Sequence, residues 1–331
     1  MTPERPNLPV NVTLGILSGL ACGALLVIVR SRADASVRTP GTLELQLSLR
    51  ELGVIPTAKS DPGYRAMLEE RRALPAPGES KRSDASRNGN SVPESLEVIT
   101  GSQTPTAIAE AFRAMMTSIL FSGENGDRPR VLVITSSSPE EGKSTVASNL
   151  AIALAQINQR VVLIDADLRR PRLHSIFNVP NTFGLSDVLS ERNPVKDYVD
   201  ESLVRSTHIP DLYVLPAGPA RTNLARLLCS PRMSELTARL KDTFDIVLID
   251  TPPVLTVPDA RMVAYSADAV ILVVRAHTTH QETAYAAARC LTDDGRRVLG
   301  AILNDWNPKR ADTTYTVYND YNSRYLRNDR S

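Results

Sequence analysis

The sequence predicts an α/β protein, a doubly wound parallel sheet preceded by one transmembrane helix and a flexible linker. Three observations carry this. Residues 10–29, VNVTLGILSGLACGALLVIV, contain no charge. Residues 56–98 are rich in Pro, Gly, Ser, Asn and mixed charge, with too little apolar material to build a core. From Arg130 onward, short β-branched runs alternate with helical patterns. The totals add exclusions: a net charge of +1 leaves no global basic field for holding nucleic acid, so none is expected as a partner. Cys22, Cys229 and Cys290 lie far apart without a C-x-x-C pair, which disfavours a disulfide framework and a zinc site and fits a reducing compartment.

Taken in order, residues 1–9 form a short external flank and residues 10–29 a membrane helix, because twenty helical residues span roughly 30 Å of hydrocarbon. Arg30, Arg32 and Arg38 follow it, whereas Arg5 is offset by Glu4, so the positive-inside bias places the C-terminal side in the cytoplasm. A secretory signal is the competing reading, through Ala33-Asp34-Ala35. The weakly basic start, the long apolar run and the arginines before that site argue against it. Gly15, Gly19 and Gly23 repeat every four residues, either as a helix-packing stripe or as the glycine common in membrane helices. Residues 30–55 read as a juxtamembrane segment and 56–98 as the linker. The main domain is expected over 99–308. It opens with an amphipathic helix carrying Ile108, Phe112, Met115 and Ile119. VLVITS, VVLIDAD, LYVLPA, DIVLID, AVILVVRA and VLGAILN follow as near-continuous apolar strands separated by helices.

The chemistry sits at strand ends. VLVITS runs into SSPEEGKST and then a helical pattern, the strand–loop–helix context that a Walker A phosphate loop requires. Backbone N–H groups near Ser138, Glu141 and Gly142 would cradle phosphates, Lys143 would reach the β- and γ-phosphates, and Ser144, followed by Thr145, would ligate Mg²⁺. Ser137 replaces the first glycine of the consensus. Asp165 and Asp167, two residues apart, turn to one side of the end of a strand. Asp250 ends another, where a Walker B aspartate holds the magnesium shell. Each aspartate alone also fits a cap or a turn; jointly they read as a metal–phosphate site.

The trio SSPEEGKST, VVLIDADLRR and DIVLIDTPP, with a tyrosine-rich tail, resembles the bacterial tyrosine kinases of capsular and exopolysaccharide biosynthesis. These kinases belong to the P-loop NTPases of the ParA/MinD-like type. The similarity covers the chain after about Thr106, and the membrane helix followed by RTPGTLELQLSLRELGVIP resembles the second transmembrane helix and juxtamembrane segment of the chain-length regulators fused to such kinases. The resemblance implies ATP and Mg²⁺ as cofactors and a single-pass place in the bacterial inner membrane with a cytoplasmic kinase domain. It further implies a homo-oligomer phosphorylating itself in trans, with a tyrosine phosphatase and polysaccharide export or polymerisation proteins as partners. Lys143, Asp165 and Asp167 would be catalytic. Asp165 is the first choice for general base, though the sequence does not separate it from Asp167, and Ser144, Asp165 and Asp250 are the metal candidates. Arg275 and Asn304 would border the nucleotide.

Departures from the family are expected to matter. Glu140 stands where many relatives carry glycine, which would set a negative side chain near the phosphates. Glu110 and Arg113 fit the first two positions of the self-association motif E-x-x-R-x-x-R, but Met116 replaces its last arginine. The first membrane helix and external domain of the fused regulators are missing, so either another chain supplies them or the reading frame is truncated. Tyr315, Tyr318, Tyr321 and Tyr325 crowd the segment 309–331 of a chain with nine tyrosines, either as an aromatic stripe or as autophosphorylation sites. Two other functions compete: a switch ATPase of the same superfamily, and a catalytically impaired scaffold of the polysaccharide machinery.

Overall fold

The computed structural model describes residues 8–33, 36–61, 63–65, 106–123, 128–190 and 203–308. The chain divides into two units, residues 1–36 and 37–331. The expected span at 10–29 falls within a single helix, Leu8–Ala33. Its Val12, Leu14, Ile16, Leu17, Leu20, Leu25 and Leu26 are all exposed. Among the described residues no helix is long and apolar enough to cross a membrane; side chains in this helix are described only at 9 and 11–26.

The second unit is built on one sheet. Its strands are β1 (Glu51–Pro56), β2 (Val131–Ser136), β3 (Val161–Asp165), β4 (Arg205–Ser206), β5 (Leu212–Leu215), β6 (Ile246–Asp250), β7 (Ala269–Arg275) and β8 (Val298–Trp306). They lie in the order β1-β8-β7-β2-β6-β3-β5-β4. All neighbours are parallel except the short β4, which runs antiparallel to β5. Both faces are covered, which is why the central strands read as unbroken apolar runs rather than alternating ones. Leu132 and Ile134 of β2 pack on one face with Phe112, Leu150 and Leu173. Val131 and Val133 pack on the other with Leu236, Val263 and Ala287. After β6 the chain crosses β2 to reach β7, so the strand order reverses around β2. Ligands settle at the C-terminal strand edge beside such a reversal.

The six strands expected from the sequence are present, and β1 and β4 are additional. β1 comes from the segment expected to be juxtamembrane, and it adds a parallel edge strand to β8 with Glu51 opposite Ala301. Its glycine and terminal proline hide it from a periodicity search, yet both are tolerated at an edge. Ahead of it, Leu43, Leu47 and Leu49 join the core. The domain's core therefore begins at Val37, where the sequence placed the domain start at 99. The helix Ala107–Leu120 buries the expected Ile108, Phe112, Met115 and Ile119, with Thr106 capping it by accepting the Ala109 N–H at 3.0 Å. Asp61, inside the expected linker, accepts the Ile108 N–H at 3.2 Å. Most of the linker and the tail lie outside the described residues.

Candidate active site

The loop from β2 to the helix Lys143–Ala155 is organised around a buried carboxylate. Ser137 Oγ donates to both Glu141 oxygens at 2.8 and 2.9 Å, and the Ser138 N–H donates to Oε2 at 3.0 Å. The Thr279 hydroxyl donates to Oε1. Burial raises the Glu141 pKa and these donors oppose it. Glu141, expected at the nucleotide, thus points its side chain inward as the brace of the loop. Glu140 adopts φ 63° and Gly142 φ 88°. A glycine takes such a conformation freely and a glutamate takes it at a cost, which gives the expected departure at Glu140 a backbone meaning. At Gly142 a Cβ would lie 2.2 Å from Asn304 Nδ2, so a side chain there would displace the Asn304 amide as well as strain the backbone.

Beyond the loop, the lysine and the acids converge. Lys143 Nζ lies 3.2 Å from Asp167 Oδ2, and Ser144 Oγ donates to Asp250 Oδ2 at 2.6 Å. Asp165 and Asp250 are register partners at the ends of adjacent β3 and β6. Asp165 accepts the N–H groups of Arg172 and Leu173 at 3.0 Å each and of Asp167 at 3.2 Å. Burial, then the Asp250 charge, pushes its pKa up to about 8 against those bonds. Burial also raises Asp250, to about 6, with Lys143 and Ser144 pulling the other way. Two sealed carboxyls side by side demand positive charge, because neither ionises cheaply without it.

Among the described residues no group of three or more His, Cys, Asp or Glu side chains is placed to hold a metal ion alone. Magnesium asks for less: one or two carboxylates, a hydroxyl, waters and substrate phosphates. Ser144, Asp165 and Asp250 fit that pattern, and Asp250 Oδ1 is buried without a protein partner.

Other expected residues are arranged differently. Arg275 and Asn304 stand at the ends of β7 and β8, and both donate to carbonyls of the loop rather than projecting past it. Thr145 follows Ser144, half-buried, in the first turn of the helix. Glu110 and Arg113 form an ion pair with each other on the outer side of the helix Ala107–Leu120, while Met116 is buried. Tyr315, Tyr318, Tyr321 and Tyr325 lie outside the described residues. The sequence reading missed Thr279, Asp305 and the pair Arg169–Asp259. In that pair the guanidinium grips a fully buried carboxylate through two bonds, of 2.8 and 3.1 Å. It ties the loop after Asp167 to the segment after Asp250. Ninety positions separate its members, so no local pattern could reveal it.

A family described as AAA domain matches residues 130–286. The chain is 38% identical over 207 residues to the tyrosine-protein kinase YwqD of Bacillus subtilis, covering 62% of this chain and 85% of that one. It is 33% identical over 215 residues to CapB of Staphylococcus aureus, a putative tyrosine-protein kinase by name, covering 65% and 92%. Among solved structures, the kinase domain of the Escherichia coli tyrosine kinase ETK superposes with a TM-score of 0.68 at 31% identity, covering 85% of this chain and 98% of that one. Full-length etk is longer, and the chain spans 40% of its length.

Proposed function

The chain belongs to the bacterial tyrosine-protein kinase family, and from that membership and the lysine–acid cluster we propose that it transfers the γ-phosphate of ATP to tyrosine hydroxyls, its own tail included. The observation that carries this is the convergence of Lys143, Asp167, Ser144 and Asp250 at one sheet edge beside the phosphate loop.

Phosphoryl transfer asks a protein chiefly for positioning and for charge placed where charge develops. The N–H groups of the loop hold the phosphate oxygens. Lys143, poised by Asp167, neutralises the β- and γ-phosphates. Ser144 and Asp250, with Asp165 beside them, hold the divalent cation, which when bound offsets the phosphate charge. Asp165, held protonated in the nucleotide-free chain by burial, would ionise once the divalent cation offsets its charge and then take the hydroxyl proton of an incoming tyrosine.

The same reading extends to setting. The uncharged run at 10–29 and the exposed apolar surface of the helix Leu8–Ala33 support a single-pass anchor in the inner membrane, with the kinase unit in the cytoplasm. Family membership supports a role in regulating capsule and exopolysaccharide synthesis, self-association through the surface of Glu110 and Arg113, phosphorylation in trans, a tyrosine phosphatase and polysaccharide export or polymerisation proteins as partners.

The test is phosphate mapping by mass spectrometry after incubation with ATP and Mg²⁺. Phosphotyrosine at Tyr315, Tyr318, Tyr321 or Tyr325 that disappears in Lys143→Ala is expected. Release of free phosphate without phosphotyrosine would make the chain a switch ATPase, and neither product would make it a scaffold.

A further inference from the structure

The peptide planes of the phosphate loop are set from behind, by the ends of β7 and β8. Arg275 donates from Nη1 to the Glu140 carbonyl at 3.0 Å, while its Nε and Nη2 donate to Asp305 Oδ2 at 3.0 and 2.8 Å. Asn304 donates from Nδ2 to the Glu141 carbonyl at 2.8 Å. In a trans peptide the carbonyl and the following N–H point in opposite directions. The Glu141 N–H belongs to the peptide whose carbonyl Arg275 holds, and the Gly142 N–H to the one that Asn304 holds. Both are therefore turned away from β7 and β8. Across β2 on that other side stand β6 and β3, which end in Asp250 and Asp165.

Holding this arrangement opposes local preference. Glu140 and Asp305 have φ of 63° and 58°, in the left-handed region that a residue bearing Cβ enters at a cost. Arg275 bonds to both, at the carbonyl of one and the carboxylate of the other. Its planar fork is the shape that meets two acceptors at once, which an ammonium group does not reproduce.

We propose that Arg275 is a positioning residue for the nucleotide: braced by Asp305, it fixes the Glu140 peptide in its left-handed state and so aims the loop's N–H groups at the phosphates. The proposal rests on the nucleotide-binding reading of the site and deepens it. Arg275 acts on the carbonyl side of the loop and does not itself touch phosphate.

Titrating the full chain with the fluorescent nucleotide mant-ADP and Mg²⁺ tests it. Arg275→Lys is expected to weaken binding about tenfold, the scale of one lost charge-assisted hydrogen bond. Adding Glu140→Gly is expected to restore most of that loss, because glycine holds the loop conformation unaided. Wild-type affinity in Arg275→Lys overturns the proposal. So does a loss that Glu140→Gly leaves untouched, which would make Arg275 a direct phosphate ligand or a merely structural residue. If Arg275→Lys does not fold, Asp305→Asn carries the same measurement: weakened binding rescued by Glu140→Gly is expected, and unchanged affinity overturns the proposal. No binding by the wild-type chain would instead sink the nucleotide reading itself.

Discussion

Asp165 is where the energetics of the site concentrate. Its carboxyl is fully buried beside Asp250, and its pKa stands at about 8 against an ordinary value of 3.8. Between those values the folded, nucleotide-free chain holds a proton that the unfolded chain has released. Stability from this group is thus fully present below about pH 4 and is lost as pH rises toward about 8. Asp165→Asn removes that dependence. Thermal melting without nucleotide is expected to show the variant gaining on wild type as pH rises from 5 to 8, while its tail phosphorylation collapses. A variant that tracks wild type across that range would mean that Asp165 is not paying a burial cost. At this scale the sequence displayed the chemistry well, since two aspartates at alternate positions after VVLI and one after DIVLI place their carboxylates at a strand edge. It could not display the direction of the Glu141 side chain. Next to a phosphate loop a glutamate reads as exposed, and only Ser137, Ser138 and the distant Thr279 together draw it inward.

At the scale of elements, the informative piece is the segment from Val37 to Pro56. Periodicity identifies a strand by length, alternation and β-branching, and ELGVIP offers little of these. Long-range packing makes it a strand instead. Ala301 N–H donates to Arg50 O at 2.8 Å, and Gly300 lets β1 approach, since a Cβ there would fall 2.3 Å from Arg50 O and 2.8 Å from Leu52 Cγ. Gly300→Ala is accordingly expected to destabilise the domain by about 1–3 kcal/mol through overpacking, with hydrogen exchange accelerated selectively in β1. Leu43→Ala empties a site with no exposure at all and should cost about 2–5 kcal/mol in chemical denaturation. Equal stability of Leu43→Ala and wild type would show this segment to be an appendage. The amphipathic helix Ala107–Leu120 was legible by contrast, because its apolar face follows the helical period with nothing to mask it.

For the whole molecule the decisive question is where the catalytic unit begins, and two truncations answer it. The sequence draws the boundary at 99, after a linker too polar for a core. The structure draws it at 37, the first residue of the second unit. Val37 donates its N–H to Thr279 O at 2.9 Å and accepts the His277 N–H at 2.7 Å. Those bonds fix the turn after β7 from which Thr279 reaches Glu141. A chain of residues 37–331 keeps this turn, the edge strand β1 and the leucines that join the core. It is expected to unfold in one transition and to bind nucleotide like the full chain; on the proposed anchoring role of the helix Leu8–Ala33, it is also expected in the supernatant where the full chain sediments with membranes. A chain of residues 99–331 loses β1, exposes the edge of β8 and uncovers core on both faces. It should unfold earlier in denaturant and bind nucleotide more weakly, since Glu141 loses a partner whose position depended on Val37. Matching stability and affinity in the two truncations would return the boundary to 99 and reduce residues 37–56 to a tether.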